Sequence, residues 1–340
     1  MSAIHFLTKA SNVLIVVFTT VLASSGNAAS LSQPSVLVSY LQPNYYTTSG
    51  SSGTLNEFTQ NGTLIQGFNI PIATGSSDFN FLRGVAVASD ARVLIFNGTF
   101  RPSISLLEPT TSVVTSMTAP HWGVIGDISS GAVVPYGTNI FATNHYPVAA
   151  SYGVGGLIQL DRSGELPFYF GDPLGYRDAT LGLDGFLYGL SFQSNLDIYN
   201  PANRELVGTV VIPSAPVAIA VSADGKIFAA QRDGTVSQIS RGGISVGPSI
   251  STGESFIDID LNSAGDIVLG TRSGKVVMTS EGLTGWSSFA TQPASWAEVP
   301  VHVAFSSGIS PVPDLPPSLS FIMGLLLLFS YRRRNAARPL

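Results

Sequence analysis

Short apolar runs alternate with polar residues between residues 31 and 310, and Gly, Asp and Asn separate one run from the next. Alternation with a period of two predicts half-buried β-strands, and tight Gly-containing turns predict hairpins. Two segments, 217–240 and 257–280, superpose at an offset of 40 residues as strand, turn, strand, turn, strand. The body of the chain is therefore predicted to be an all-β internal repeat.

The same four-strand unit extends towards the N-terminus. Second strands are predicted to begin at residues 93, 139, 186, 226 and 266, so that successive units are spaced by 46, 47, 40 and 40 residues. Four strands in a unit of this length is the pattern of a β-propeller blade.

The two ends of the repeat predict how the ring closes. Residues 36–41, 53–59 and 64–70 supply three strands without a first one, and residues 301–307 supply a first strand with none after it. Pairing of these N- and C-terminal strands completes one blade and removes an open sheet edge. The prediction is an all-β fold, a β-propeller of six four-stranded blades over residues 31–308. Seven blades is the alternative, if the stretch 121–173 contains more strands.

By its blade pattern, the body resembles six-bladed propellers of the NHL, gluconolactonase and streptogramin-lyase types. Small and β-branched residues fill the predicted inner strands, as in Val85-Ala-Val-Ala88 and Val217-Ala-Ile-Ala-Val221. The resemblance implies that a ligand binds at the central channel. For an enzyme of the gluconolactonase type it implies a divalent metal held by a carboxylate and amides. For an enzyme of the streptogramin-lyase type it implies a His and a Glu near a bound magnesium ion. We find no Glu, Asn and Asp set at matching blade positions in this sequence.

The N-terminal residues 1–29 are predicted to be a secretory signal peptide. A basic region ending at Lys9 precedes an apolar stretch of signal-core length, and small residues follow it. Cleavage after Ala23, Ala28 or Ala29 fits the small-residue preference equally well. The apolar run is too short for a transmembrane anchor, which is the alternative.

Residues 309–340 form a tail of three parts. Val312-Pro313-Asp314-Leu315-Pro316 is followed by an apolar run over 319–331 and by Arg332-Arg333-Arg334. The apolar run predicts a short transmembrane helix of roughly 20 Å, less than the ~30 Å hydrocarbon core. Arginines at its end favour the cytoplasmic side.

This tail resembles the PEP-CTERM sorting signal of Gram-negative bacteria. The resemblance implies an exosortase, a membrane cysteine protease, as a partner that recognises the motif. The family motif is Val-Pro-Glu-Pro-like, whereas here Asp314 replaces Glu and Leu315 is inserted before Pro316. A variant sortase, or an ordinary C-terminal tail anchor, is the alternative.

Composition and charge narrow the classes of function. Only 11% of the 340 residues are charged, against roughly 25% in an average soluble domain. The absence of Cys excludes disulfides, zinc-thiolate sites, iron–sulfur clusters and thiol catalysis. Residues 31–310 hold 11 basic and 20 acidic side chains, so the body carries about −9 and nucleic acid is excluded as a partner.

The strongest polar cluster lies where inner strands are predicted to begin, and its four members are Arg83, Arg177, Asp178 and Glu254. Starts of inner strands converge at one end of the channel, and an Arg beside an Asp can bind a carboxylate or sugar hydroxyls. Salt bridges at the rim are the alternative. The ligand-binding candidates are Arg83, His121, Trp122, Arg177 and Asp178. For a catalytic role the nearest candidates are His302 and Glu254, and the sequence contains no metal-binding motif.

These patterns predict an exported propeller that acts as a binding or scaffold module of the cell envelope or extracellular matrix, recognising a polysaccharide or a protein. No cofactor is predicted. The alternative is a secreted lyase or lactonase with its site at the central channel, for which a divalent metal would be the cofactor.

Overall fold

Alternating apolar residues place each predicted strand in a sheet whose two faces are both covered. The computed structural model describes residues 30–32, 34–40, 52–71, 81–98, 103–117, 131–144, 156–161, 167–212, 214–290 and 300–306. They form 24 strands arranged in six four-stranded antiparallel sheets. The prediction of an all-β propeller with six blades is confirmed, and the seven-bladed alternative is wrong.

Five blades are built from consecutive strands. Blade 1 contains β4 (Phe81–Val87), β5 (Val93–Gly98), β6 (Ser103–Glu108) and β7 (Val113–Met117). Blade 2 contains β8 (Val133–Tyr136), β9 (Asn139–Asn144), β10 (Gly156–Asp161) and β11 (Phe168–Phe170). Blade 3 contains β12 (Tyr176–Leu181), β13 (Leu187–Ser191), β14 (Asn195–Asn200) and β15 (Glu205–Val211).

The next two blades correspond to the clearest repeats in the sequence. Blade 4 contains β16 (Ala218–Val221), β17 (Ile227–Ala230), β18 (Thr235–Ile239) and β19 (Ser245–Ser251). Blade 5 contains β20 (Phe256–Leu261), β21 (Asp266–Thr271), β22 (Lys275–Ser280) and β23 (Ser287–Ala290). Gly185, Gly225 and Gly265 occupy the first turn of blades 3 to 5 with φ of 85°, 78° and 84°, a conformation that favours glycine.

The sixth blade joins the two ends of the repeat. Its strand order is β24 (Val301–Phe305), β1 (Ser35–Tyr40), β2 (Ser52–Thr59) and β3 (Leu64–Pro71). β24 pairs antiparallel with β1, with Val303 opposite Val38. The predicted closure is confirmed, and we call this sheet the closing blade.

Apolar side chains hold the blades together face to face. Among the described residues, six buried clusters occur, and each joins two neighbouring blades around the ring. Phe96 of blade 1 and Ile158 of blade 2 belong to one cluster, for example, and both are 0% exposed. Because each sheet is covered on both faces, few positions need a charged residue, which accounts for the low charge of the body.

Several predictions lie outside the described residues. These are the signal peptide at 1–29 and the tail at 309–340 with its helix at 319–331. In the ranges that the structure covers, no helix is long and apolar enough to cross a membrane.

Candidate functional site

The six inner strands leave a cavity of about 290 Å³ at the centre of the ring. Every blade contributes to its wall, because each blade begins with the strand nearest the axis. One wall residue from each inner strand, taken in order from β4 round to β24, is Val85, Val134, Thr180, Ile219, Ile259 and Ala304. The walls are therefore mainly apolar and are made of hydrogen-bonded sheet.

Three aspartates interrupt this apolar wall: Asp178 on β12, and Asp258 and Asp260 on β20. Each carboxylate accepts a backbone N–H from the inner strand of the next blade. Oδ2 of Asp178 accepts from Ile219 at 2.8 Å. Oδ2 of Asp258 accepts from Val303 at 2.9 Å, and Oδ2 of Asp260 accepts from Phe305 at 2.8 Å. The carboxylates thus join neighbouring blades at the axis and hold fixed positions in the cavity wall.

Burial changes the protonation of these groups. It raises the pKa of Asp178 well above its usual value, and the nearby Asp258 carboxylate raises it further. For Asp260 burial is again the main cause, and it raises the pKa to about 7, although the N–H donors of Phe305 and Leu261 act in the opposite direction. The cavity therefore holds one carboxyl, that of Asp260, that takes up a proton near neutral pH, and a second, Asp178, whose pKa is also raised.

The histidine candidate lies beside one of these aspartates. Nδ1 of His302 is 3.4 Å from Oδ2 of Asp258, and the imidazole is buried. Ser39 of β1 is opposite His302 in the register of the closing blade. Residues that are opposite each other in the register share a face of the sheet. A Ser, a His and an Asp, the residue types of the catalytic triad of serine hydrolases, therefore lie near one another here. Ser39 is 0% exposed, and within the described ranges its Oγ has no hydrogen-bond partner. A substrate would not reach the Ser39 hydroxyl in this structure.

Arg177 and Glu254 are engaged away from the cavity wall. Nη1 of Arg177 donates to the carbonyl oxygen of Pro216 at 3.1 Å, and its guanidinium lies 5.1 Å from the centre of the Phe192 ring. Glu254 accepts from Nζ of Lys275 at 2.6 Å and from Oγ of Ser273 at 2.8 Å. The hydrogen bond from Lys275 holds the pKa of Glu254 below its usual value.

Of the four residues expected to converge at one end of the channel, the structure therefore brings Asp178 to the cavity. His302 contacts Asp258, and the contacts of Glu254 are with Lys275 and Ser273. The side chain of Arg83 and the residues His121 and Trp122 lie outside the described part of the structure.

The fold has counterparts among solved structures. One is a chain in the crystal structure of a nidogen/laminin complex, with 12% sequence identity and a TM-score of 0.57; the match covers 80% of this chain and 99% of that one. Another is TolB from Acinetobacter baumannii, with 19% identity and a TM-score of 0.53, covering 79% of this chain and 66% of that one. At these identities the likeness establishes the propeller fold alone.

Sequence comparisons give no further assignment. No protein-family model matches the chain, and no curated protein sequence matches it. The function has to be argued from the site itself.

Sequence reasoning missed Asp258 and Asp260. A signal for them exists in the repeat, because at the 40-residue offset they align with Ala218 and Ala220 of the preceding blade. A carboxylate that replaces a small residue on an inner strand has to face the axis or the next blade. Among the described residues, no group of three or more His, Asp or Glu side chains is arranged to hold a metal ion.

Proposed function

We propose that this chain is a binding module that holds a small ligand in its central cavity. The observation that carries the proposal is the cavity of about 290 Å³, whose wall is formed by all six inner strands and carries three fixed carboxyl groups. Ligand sites are typically concave and mostly apolar, with a few well-placed polar groups. A wall of hydrogen-bonded strands is also preformed, which lowers the ordering cost of binding.

The wall residue Thr180 offers a direct test of this proposal. Thr180→Phe would place a ring in the cavity, and Thr284→Phe is the matched control, since Thr284 is an exposed residue outside the cavity wall. We expect a library of small cations, anions and neutral sugars to yield compounds that raise the melting temperature of the protein. Thr180→Phe should lower their affinity at least tenfold, whereas Thr284→Phe should leave it unchanged.

The library is screened by thermal shift, and hits are measured by calorimetry. Hits that bind Thr180→Phe as tightly as the unaltered protein would place the ligand elsewhere and contradict the proposal. Recovery of a hit as a chemically altered product would favour the secreted lyase or lactonase instead.

We further propose that the module is exported and sorted to the cell envelope or extracellular matrix. The support is in the sequence, in the signal-like residues 1–29 and in the order of motif, apolar run and arginines over 309–340. An exosortase-type protease would be the partner of the motif Val312, Pro313, Asp314 and Pro316, while Arg332, Arg333 and Arg334 hold the tail at the cytoplasmic side.

Mass spectrometry of the exported protein checks the sorting proposal. We expect the mature chain to begin after Ala23, Ala28 or Ala29 and to end near Pro316. The matched control is a chain with Arg332, Arg333 and Arg334 replaced by Ala, which should be released without that processing. An exported protein that still ends at Leu340 would contradict the proposal.

A further inference from the structure

The charged groups of the cavity are all of one sign. Asp178, Asp258 and Asp260 are the charged side chains among the described residues of its wall, and no Lys, Arg or His belongs to that set. His302, on β24, contacts Asp258. Arg177 lowers the pKa of Asp178, but it is the smallest of the influences on that pKa. Because like charges repel, the Asp258 carboxylate raises the pKa of both Asp178 and Asp260.

The remaining wall is mainly apolar and the space is small. Val85, Val134 and Ile219 line it, and its volume of about 290 Å³ lies at the small end of the ~300–1,000 Å³ range of ligand pockets. A ligand that matches both features combines a positive charge with a compact apolar body. An anion would be repelled, and a neutral sugar would leave hydroxyls unpaired against the aliphatic wall.

We propose that the central cavity binds a small organic cation, with its ammonium group beside Asp178, Asp258 and Asp260 and its carbon skeleton against the aliphatic wall. This inference rests on the proposed binding function and names the ligand class of the same site. The ammonium supplies the counter-charge that the wall lacks, and charge-assisted hydrogen bonds of this type are strong.

The arrangement of the carboxylates favours an ammonium over a bare metal ion. In Asp258 and Asp260 one oxygen accepts the N–H of β24 and the other accepts the N–H of the following residue, at 2.9 and 2.8 Å. Both oxygens of Asp260 and Oδ1 of Asp258 keep one lone pair, which suits a hydrogen bond from N⁺–H. Hard divalent cations need several oxygen ligands in one shell, and in the part of the chain that the structure describes no group of three or more His, Asp or Glu side chains is arranged to hold one.

Binding of the cation is linked to proton release. Asp258 on the same strand is the charged group that acts on Asp260, Asp178 from β12 lines the same cavity, and His302 from β24 contacts Asp258. Burial raises the pKa of Asp260 to about 7, so this carboxyl is largely protonated at pH 6. A bound ammonium favours the ionised form and expels the proton. Affinity should therefore rise between pH 6 and pH 8.

Calorimetry with three probes of one shape tests the ligand class: benzylammonium, benzyl alcohol and benzoate, titrated into the full chain at pH 6 and pH 8. We expect benzylammonium to bind at least tenfold more tightly than the other two, and several-fold more tightly at pH 8 than at pH 6. At pH 6 the heat should depend on the ionisation enthalpy of the buffer, because a proton is released.

Asp258→Asn is the decisive variant, since the amide oxygen can still accept the N–H of Val303, while the charge and the acceptor for the N–H of Ile259 are lost. Asp233→Asn is its control, because Asp233 caps an exposed turn and loses the same charge. We expect at least a tenfold loss of benzylammonium affinity in the first variant and no change in the second. If Asp258→Asn does not fold, Asp178→Asn tests the same point.

The outcomes separate the two proposals. Preferential binding of benzyl alcohol or benzoate in the cavity, or equal loss in both Asn variants, would overturn the cation assignment and leave the binding function standing. Failure of all three probes, with no other library compound blocked by Thr180→Phe, would overturn both.

Discussion

Raising the pH from 5 to 8 should lower the free energy of unfolding of this protein. The cause is Asp260, whose pKa is raised by burial to about 7 in the folded protein from its usual value of 3.8. Between these two pKa values the folded state keeps a proton on Asp260 that the unfolded state releases. The stabilisation is therefore complete below the pKa of Asp260 in the unfolded chain, and it is lost as the pH rises through about 7. Asp178 acts in the same direction, because its pKa is also raised. At 1.36 kcal/mol per pKa unit we expect a loss of about 2 to 4 kcal/mol.

Urea denaturation of Asp260→Asn at the same pH values isolates this effect. The amide carries no titrating proton, so the stability of the variant should change less between pH 5 and pH 8 than that of the unaltered protein. Asp233→Asn, in an exposed turn, should keep the full pH dependence. Equal slopes in all three proteins would show that the cavity carboxyls do not control the pH dependence.

Gly270→Ala should destabilise the ring at its closing joint. Gly270 lies on β21, and a Cβ built there falls 2.1 Å from the carbonyl oxygen of Val301, at the start of β24. That neighbour is backbone, so the closing strand itself has to move. Overpacking of a well-packed contact costs about 1 to 3 kcal/mol, and here we expect the upper part of that range.

Gly208→Ala is the matched control for this substitution. Gly208 is also a strand glycine, on the outermost strand of blade 3, and a Cβ built there meets nothing within 4 Å. We expect its free energy of unfolding to stay within about 0.5 kcal/mol of the unaltered protein. Comparable losses for the two variants in urea denaturation would contradict the close contact between blade 5 and the closing blade.

The candidate site was only partly predictable, and the reason differs from residue to residue. Asp178 was placed correctly on an inner strand by the repeat. Its neighbour Arg177 is the extra residue of a β-bulge, where the alternation of side chains along the strand is broken, and its guanidinium is bonded to Pro216. The carboxylate of Glu254 is bound by Lys275 of the same blade, and this contact determines where the Glu254 side chain lies. Position at the start of a strand therefore did not determine which side chains meet.

The sequence by itself determined the all-β class, the blade period and the closure of the ring. These follow from local alternation, from turn glycines and from the 40-residue repeat, all of which are properties of neighbouring residues. Only the tertiary structure decided that Asp178, Asp258 and Asp260 share one cavity, and that each accepts an N–H from the next blade. Their convergence depends on how the blades pack around the axis, and the raised pKa values of Asp178 and Asp260 follow from the burial that this packing produces.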